Sequence, residues 1–355
     1  MPLQLNLFSY PARAPQVAVF GDADYAVVWQ GTLDGRERIM MRRFQNGAWS
    51  AEQPVDSGRE GQHLSPHAAA DDSGALHLGW VLRTADPRAG DVVCYARRSA
   101  QGDWRYEEWP LADGTLCDTL SLLPCGGKAR IALHAVSAET SDILLIDIPV
   151  SAARPAEMQY LSPDSGPEIF NLYPMLFKQA PAEVMWYRSS AQGFDLIGAS
   201  QLGSGEWELL GAEELLPAIN ASRLPLIRES ENGEPIAVWH EPLDGVDRIW
   251  LVLGGSASGP VIIDDLARQN NRVPDAAVAP SSEIAVAWVG ETQQGNTIQY
   301  KILDSNLSVS GRVDSAAPNS AKPVAAFAPG GRLLLAWHTN DTQDAGDIYF
   351  EIIPR

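Results

Sequence analysis

A short apolar phrase ending in tryptophan recurs along the chain and constrains the fold more than any other feature. It reads AVVW at Trp29, LHLGW at Trp80, EVMW at Trp186, IAVW at Trp239, IAVAW at Trp288 and LLLAW at Trp337. A seventh copy, IALH, puts His134 where tryptophan is expected. Successive copies lie 49 to 54 residues apart, the length of one four-stranded propeller blade. Seven copies predict an all-β, seven-bladed β-propeller with about 50 residues per blade.

Each copy carries the rest of a blade in the same order. Upstream lies a run containing proline, as in SPHAAA from Ser65, YPMLF from Tyr173, LPLI from Leu224, VPDAAV from Val273 and KPVAAF from Lys322. This is the expected inner strand, with proline near its start, where a missing N–H costs no ladder bond. Downstream comes a third strand, such as RIMMRRF from Arg38 or DIYFEII from Asp347. A fourth segment often opens with tryptophan after a glycine turn, at Trp49, Trp104 and Trp207. The second strand is apolar almost without alternation, as a strand covered on both faces should be.

The last repeat ends before a fourth strand, while Leu3, Leu5 and Leu7 alternate with Gln4 and Asn6 at the other end. An N-terminal strand over residues 3–8 is therefore expected to complete the C-terminal blade and close the ring. The blades fall at 16–56, 62–112, 117–162, 167–216, 219–266, 269–314 and 318–353, within a single domain spanning 1–355.

Composition limits the partners. Over 355 residues, 45 acidic side chains against 26 basic ones give a net charge of −19, which opposes nucleic acid and anionic lipid surfaces. No stretch approaches the roughly 18 apolar residues of a membrane helix, and the N-terminus lacks the basic, apolar and small-residue order of a signal peptide. A cytoplasmic location is expected. Cys94, Cys117 and Cys125 form an odd set without metal-type spacing, so reduced structural thiols are expected, with no metal and no cofactor.

With a proline-led strand, a tryptophan-ended strand and an outer aromatic strand in each repeat, the chain resembles bacterial propellers with sialidase-like repeats. The resemblance spans nearly the whole chain at the level of architecture. The Asp-box of that group, S-x-D-x-G-x-x-W, is absent, and its nearest relative is Asp72-Ser73-Gly74. Sialidases of that kind have six blades, so the resemblance does not bring glycosidase activity with it.

In propellers, ligands usually meet the face where loops entering the inner strands and loops leaving the second strands converge. The entering loops hold His63, Asp118, Asn171, Asn220, Arg223, Asn270, Asn271, Arg272, Asn319 and Lys322; the leaving loops hold Arg83, Glu139, Tyr187, Arg188, His240, Glu241, Glu291, His338 and Asp341. The asparagines equally suit local turns. Arg83, Arg188, Arg223 and Arg272 could form an anion site, since guanidinium forks match carboxylate, sulfate or phosphate; alternatively each pairs with Glu241, Glu291 or Asp341. His63, Glu291 and His338 complete the expected ligand-binding set. Tyr187, His240 and Glu241 are the candidates for proton transfer beside a carboxylate, and Glu241 with Glu291 could serve glycoside hydrolysis. His134 reads as a hydrogen-bonded core histidine.

Three functions remain open at this point. The first is recognition of an anionic small molecule, glycan or protein segment at the channel mouth. The second is an enzyme, lyase or hydrolase, acting on a carboxylate-bearing, possibly carbohydrate, substrate. The third is a protein-binding scaffold.

Overall fold

The computed structural model describes all residues except 1, 7–10, 87, 151–155, 163–167, 192, 217, 218, 220–222, 255–258, 265–269, 294, 304–308, 316–318, 341–345 and 355. The chain is an all-β, seven-bladed β-propeller. Six sheets follow the chain in antiparallel meanders of four strands, the first gaining a fifth short strand, Gln53–Pro54. The seventh takes Leu3–Gln4 onto Ile348–Ile353, with Leu3 opposite Phe350 and Gln4 opposite Tyr349. Leu5 continues the pairing through its N–H to the Ile348 carbonyl at 2.8 Å. The expected closing strand is thus present; its residues 7 and 8 lie outside the described residues.

Two compact units make up the chain. One comprises 1–35, 39–55 and 218–355, which holds most of blade 1 and blades 5, 6 and 7; the other comprises 36–38 and 56–217, which holds blades 2, 3 and 4. Within each unit the tryptophan-ended strands are the core. Trp29, Trp80, Trp186, Trp288 and Trp337 are at most 1% exposed, because an indole removes on the order of 150–250 Å² from water where two blades meet. Neighbouring blades share these clusters: blades 5 and 6 around Trp288, 6 and 7 around Trp337, 7 and 1 around Trp29, and 3 and 4 around Trp186.

Proline does not sit at the strand start as expected. In blades 1, 2, 4, 6 and 7 it lies inside the first strand, on a register shift, after a residue with positive φ: Ala14, Ser65, Tyr173, Val273 and Lys322, at 45° to 52°. Blade 5 repeats the pattern at Leu224, φ 50°, ahead of its first strand, Leu226–Glu229. A β-bulge leaves one residue unpaired, so proline's missing N–H is absorbed there rather than at the edge. In blade 1 the bulge moves the strand start to Ala12, four residues before the expected boundary.

The bulge also sorts side chains by position. Two residues before proline's predecessor, the chain turns inward and accepts the blade's own indole N–H. His63 Nδ1 takes Trp80 at 2.9 Å, Asn171 Oδ1 takes Trp186 at 3.0 Å and Asn271 Oδ1 takes Trp288 at 3.1 Å. The next residue points outward, and this position carries Arg13, Arg223 and Arg272, all exposed.

In blade 3, His134 is a core histidine 3% exposed, with Nε2 against Ser141 Oγ at 2.8 Å. The region nearest to an Asp-box is a turn closed by Asp71, which accepts from the Ser73 and Ala75 N–H groups and contacts His77 Nε2 at 2.9 Å. Burial pushes the Asp71 carboxyl up, but hydrogen bonds from Ser73, His77 and Ala75 overcome it and hold the group well below the usual carboxylate range.

Candidate functional site

Blades 5 and 6 bring five candidate residues together: Arg223, His240, Glu241, Arg272 and Glu291. The expected leaving loop of blade 5 is a tight hairpin. Asp244 and Gly245, at φ 53° and 81°, form the two-residue turn that matches strand twist, so the second strand, Pro235–Leu243, stays paired through Glu241↔Arg248 and Pro242↔Asp247. That pairing carries Asp247 to the cluster.

Arg272 Nε donates to Asp247 Oδ2 at 2.8 Å, and Arg223 Nε lies 3.4 Å from Glu241 Oε1. Asn270 joins the remaining groups: its Oδ1 accepts the Asp247 N–H at 3.3 Å and its Nδ2 donates to Glu291 Oε2 at 2.8 Å. Glu241 Oε2 also accepts the indole N–H of Trp239 at 3.1 Å. Beneath the cluster, Asn271 links Trp288 to the buried Asp264 carboxylate, which grips Arg248.

His240 is exposed. Partial burial, then the nearby Arg272 and Arg223 charges, lower its pKa against the opposing pull of Asp247. The imidazole is therefore neutral near pH 7, able to accept or donate a proton. In an NMR titration its ring protons should respond below the ordinary histidine value of about 6.5. Arg272→Ala removes one cation and releases Asp247, so the midpoint should rise; an unchanged midpoint would contradict this electrostatic picture.

Three carboxylates meet two guanidinium groups here, and each guanidinium is already engaged. Of the converging arginines expected to form an anion site, Arg223 is paired with Glu241 and Arg272 with Asp247, an acid outside the expected set. Arg83 is likewise clasped, through Nε and Nη2, by Asp91 at 3.0 and 2.8 Å. Arg188 is half-buried and has no ion pair among the described residues.

Two candidates drop out by burial. Tyr187 is fully buried, which pushes its hydroxyl pKa up and closes it to a substrate. His63 is 0% exposed, with Nε2 against the Arg59 carbonyl at 3.0 Å and Nδ1 taken by Trp80, so neither nitrogen is available to a ligand. His338 is 7% exposed and lies on blade 7. Asn220 and Asp341 fall outside the described residues. Among the described residues no three His, Cys, Asp or Glu side chains gather as a metal would require, and no helix is long and apolar enough to cross a membrane. Cys94 and Cys117 are buried free thiols, with pKa values raised by that burial.

A separate cavity of about 750 Å³ opens in the other unit, lined by the Pro110–Thr115 loop, Ser137, Glu139, Asp142, Met158 and Tyr160, with no basic residue. Its carboxylates repel anions. Of the leaving-loop residues it takes only Glu139.

No family model matches this sequence, and no curated protein matches it. Solved structures do. A PL25 ulvan lyase bound to -[GlcA(1-4)Rha3S]- has a TM-score of 0.58 at 13% identity, covering 99% of this chain and 96% of that one. A protein of unknown function from Dyadobacter fermentans gives 0.53 at 10% identity, with coverages of 99% and 96%. A subtype N10 neuraminidase-like protein of A/little yellow-shouldered bat gives 0.47 at 9% identity, with coverages of 99% and 97%. At such identities the likeness is one of fold.

Proposed function

We propose that the chain is a recognition protein that binds a glycan through the blade 5–6 cluster. The observation that carries this reading is the partly exposed network of planar polar groups, Arg223–Glu241 and Arg272–Asp247–Asn270–Glu291, around a neutral His240. Planar amide, carboxylate and guanidinium groups pair with adjacent hydroxyls in a fixed geometry, and surface ion pairs worth about 0–1 kcal/mol reopen at little cost. The ulvan lyase of similar fold, bound to a glycan of GlcA and Rha3S, supports a carbohydrate ligand by fold analogy.

Calorimetric titration with neutral and uronate-containing oligosaccharides tests the reading. Binding should weaken about tenfold or more, roughly 1.4 kcal/mol, in Asn270→Ala and Glu241→Gln. Affinity unchanged in both variants would remove the cluster from the binding site.

An enzyme is the second reading, favoured by His240 alone, which is exposed and neutral beside two guanidinium groups. It requires turnover: a new double bond or a new reducing end, lost in His240→Ala. Tyr187 has no part in it.

A further inference from the structure

The indole acceptor position is not filled in every blade. In blade 1 it holds Ala12, which offers no side-chain acceptor, and Trp29 Nε1 is buried without a hydrogen-bond partner. Trp29 packs against Ala336, Ile348 and Phe350 of blade 7. Along Leu333–Thr339, Leu334, Ala336 and His338 alternate onto one face. The first two belong to the Trp29 cluster, so His338 continues the same row toward blade 1.

His338 repeats the anomaly, since its Nδ1 has no partner either. Asn340 hydrogen-bonds the ring, which leaves Nδ1 as the open position. Two buried polar atoms left unsatisfied in one seam call for an occupant, because desolvation without a partner returns nothing. The charges beside them indicate its sign. Lys322, exposed and without an ion pair among the described residues, and Arg13, at the repeat position of Arg223 and Arg272, are the cations that act on His338. A water molecule would answer the two unpartnered atoms but make no use of the Lys322 charge.

We propose that the seam between blades 7 and 1 is an oxyanion site, taking a carboxylate or sulfate group that accepts the Trp29 indole N–H and is held by Lys322, with the Arg13 charge adding to the local positive field. The His338 tautomer protonated on Nδ1 supplies a further donor. The site is separate from the blade 5–6 cluster and stands without it.

The eleven tryptophans give indole N–H signals that report on the seam directly. In the ¹⁵N-labelled full chain, with Trp29→Phe used for assignment, sodium sulfate and sodium glucuronate are titrated against sodium chloride at equal ionic strength. The Trp29 signal should shift saturably with at least one of the two anions, and Lys322→Ala should weaken that binding about tenfold. A response to sulfate alone or glucuronate alone supports the site and identifies the group it takes. Arg272→Ala should leave the titration intact, which separates this site from the glycan reading. A Trp29 signal unmoved by both anions, or shifting equally in Lys322→Ala, would overturn the proposal and leave an ordered water only.

Discussion

Asp264→Ala should destabilise the protein by about 3–5 kcal/mol, the cost of leaving a buried charge without its partner. Arg248 and Asp264 are 6% and 1% exposed, and the guanidinium grips both the carboxylate and the Asp264 carbonyl. The same carboxylate receives Asn271 Nδ2. Its loss therefore removes the carboxylate facing the Arg248 charge and frees the asparagine that positions Trp288. The double variant Asp264→Ala with Arg248→Met removes both charges and should recover a large part of the loss. Denaturant unfolding of the three proteins measures this, and a double variant no better than the single one would mean that the pair is not the dominant interaction.

The second large effect is expected at the tryptophans. Trp288→Ala should cost about 3–5 kcal/mol by opening a cavity where blades 5 and 6 meet, lowering the unfolding midpoint by roughly 4–7 °C. Phenylalanine variants separate packing from hydrogen bonding. Trp288 donates to Asn271 Oδ1 and Gln299 Oε1, both at 3.1 Å, so Trp288→Phe takes a donor from two buried acceptors and should cost about 1–3 kcal/mol beyond the lost ring volume. Trp29 has no such partner, so Trp29→Phe should lack that additional loss in the absence of ligand. Equal losses in the two phenylalanine variants would contradict the pattern of indole acceptors.

The repeat was legible because its cause is simple: a strand buried on both faces reads as an unbroken apolar run, and Trp29 through Trp337 mark its end in six of the seven copies. The closing strand was legible from the alternation of Leu3, Gln4 and Leu5. Side-chain direction at the blade ends was harder. Tyr187 and His240 each follow a blade tryptophan, yet one is sealed and the other exposed, a difference set by packing around each strand end that local sequence does not express.

Two site residues escaped notice for local reasons. Arg13 was missed because the first bulge starts its strand at Ala12 rather than residue 16. Asp247 was missed because the Asp244-Gly245 turn keeps the strands paired past His240; that dipeptide was the available signal. Proline's place on a bulge was hidden too, since a positive φ ahead of proline runs against the residue's ordinary preference.

Whether the blade 5–6 cluster binds a glycan is answered by a crystal structure after soaking with a uronate-containing oligosaccharide. Sugar hydroxyls are expected within hydrogen-bond distance of Asn270, Glu241 and Glu291, with His240 against the ring. Density for the sugar in the acidic cavity lined by Glu139, Asp142 and Tyr160, with the blade 5–6 cluster empty, would contradict this placement.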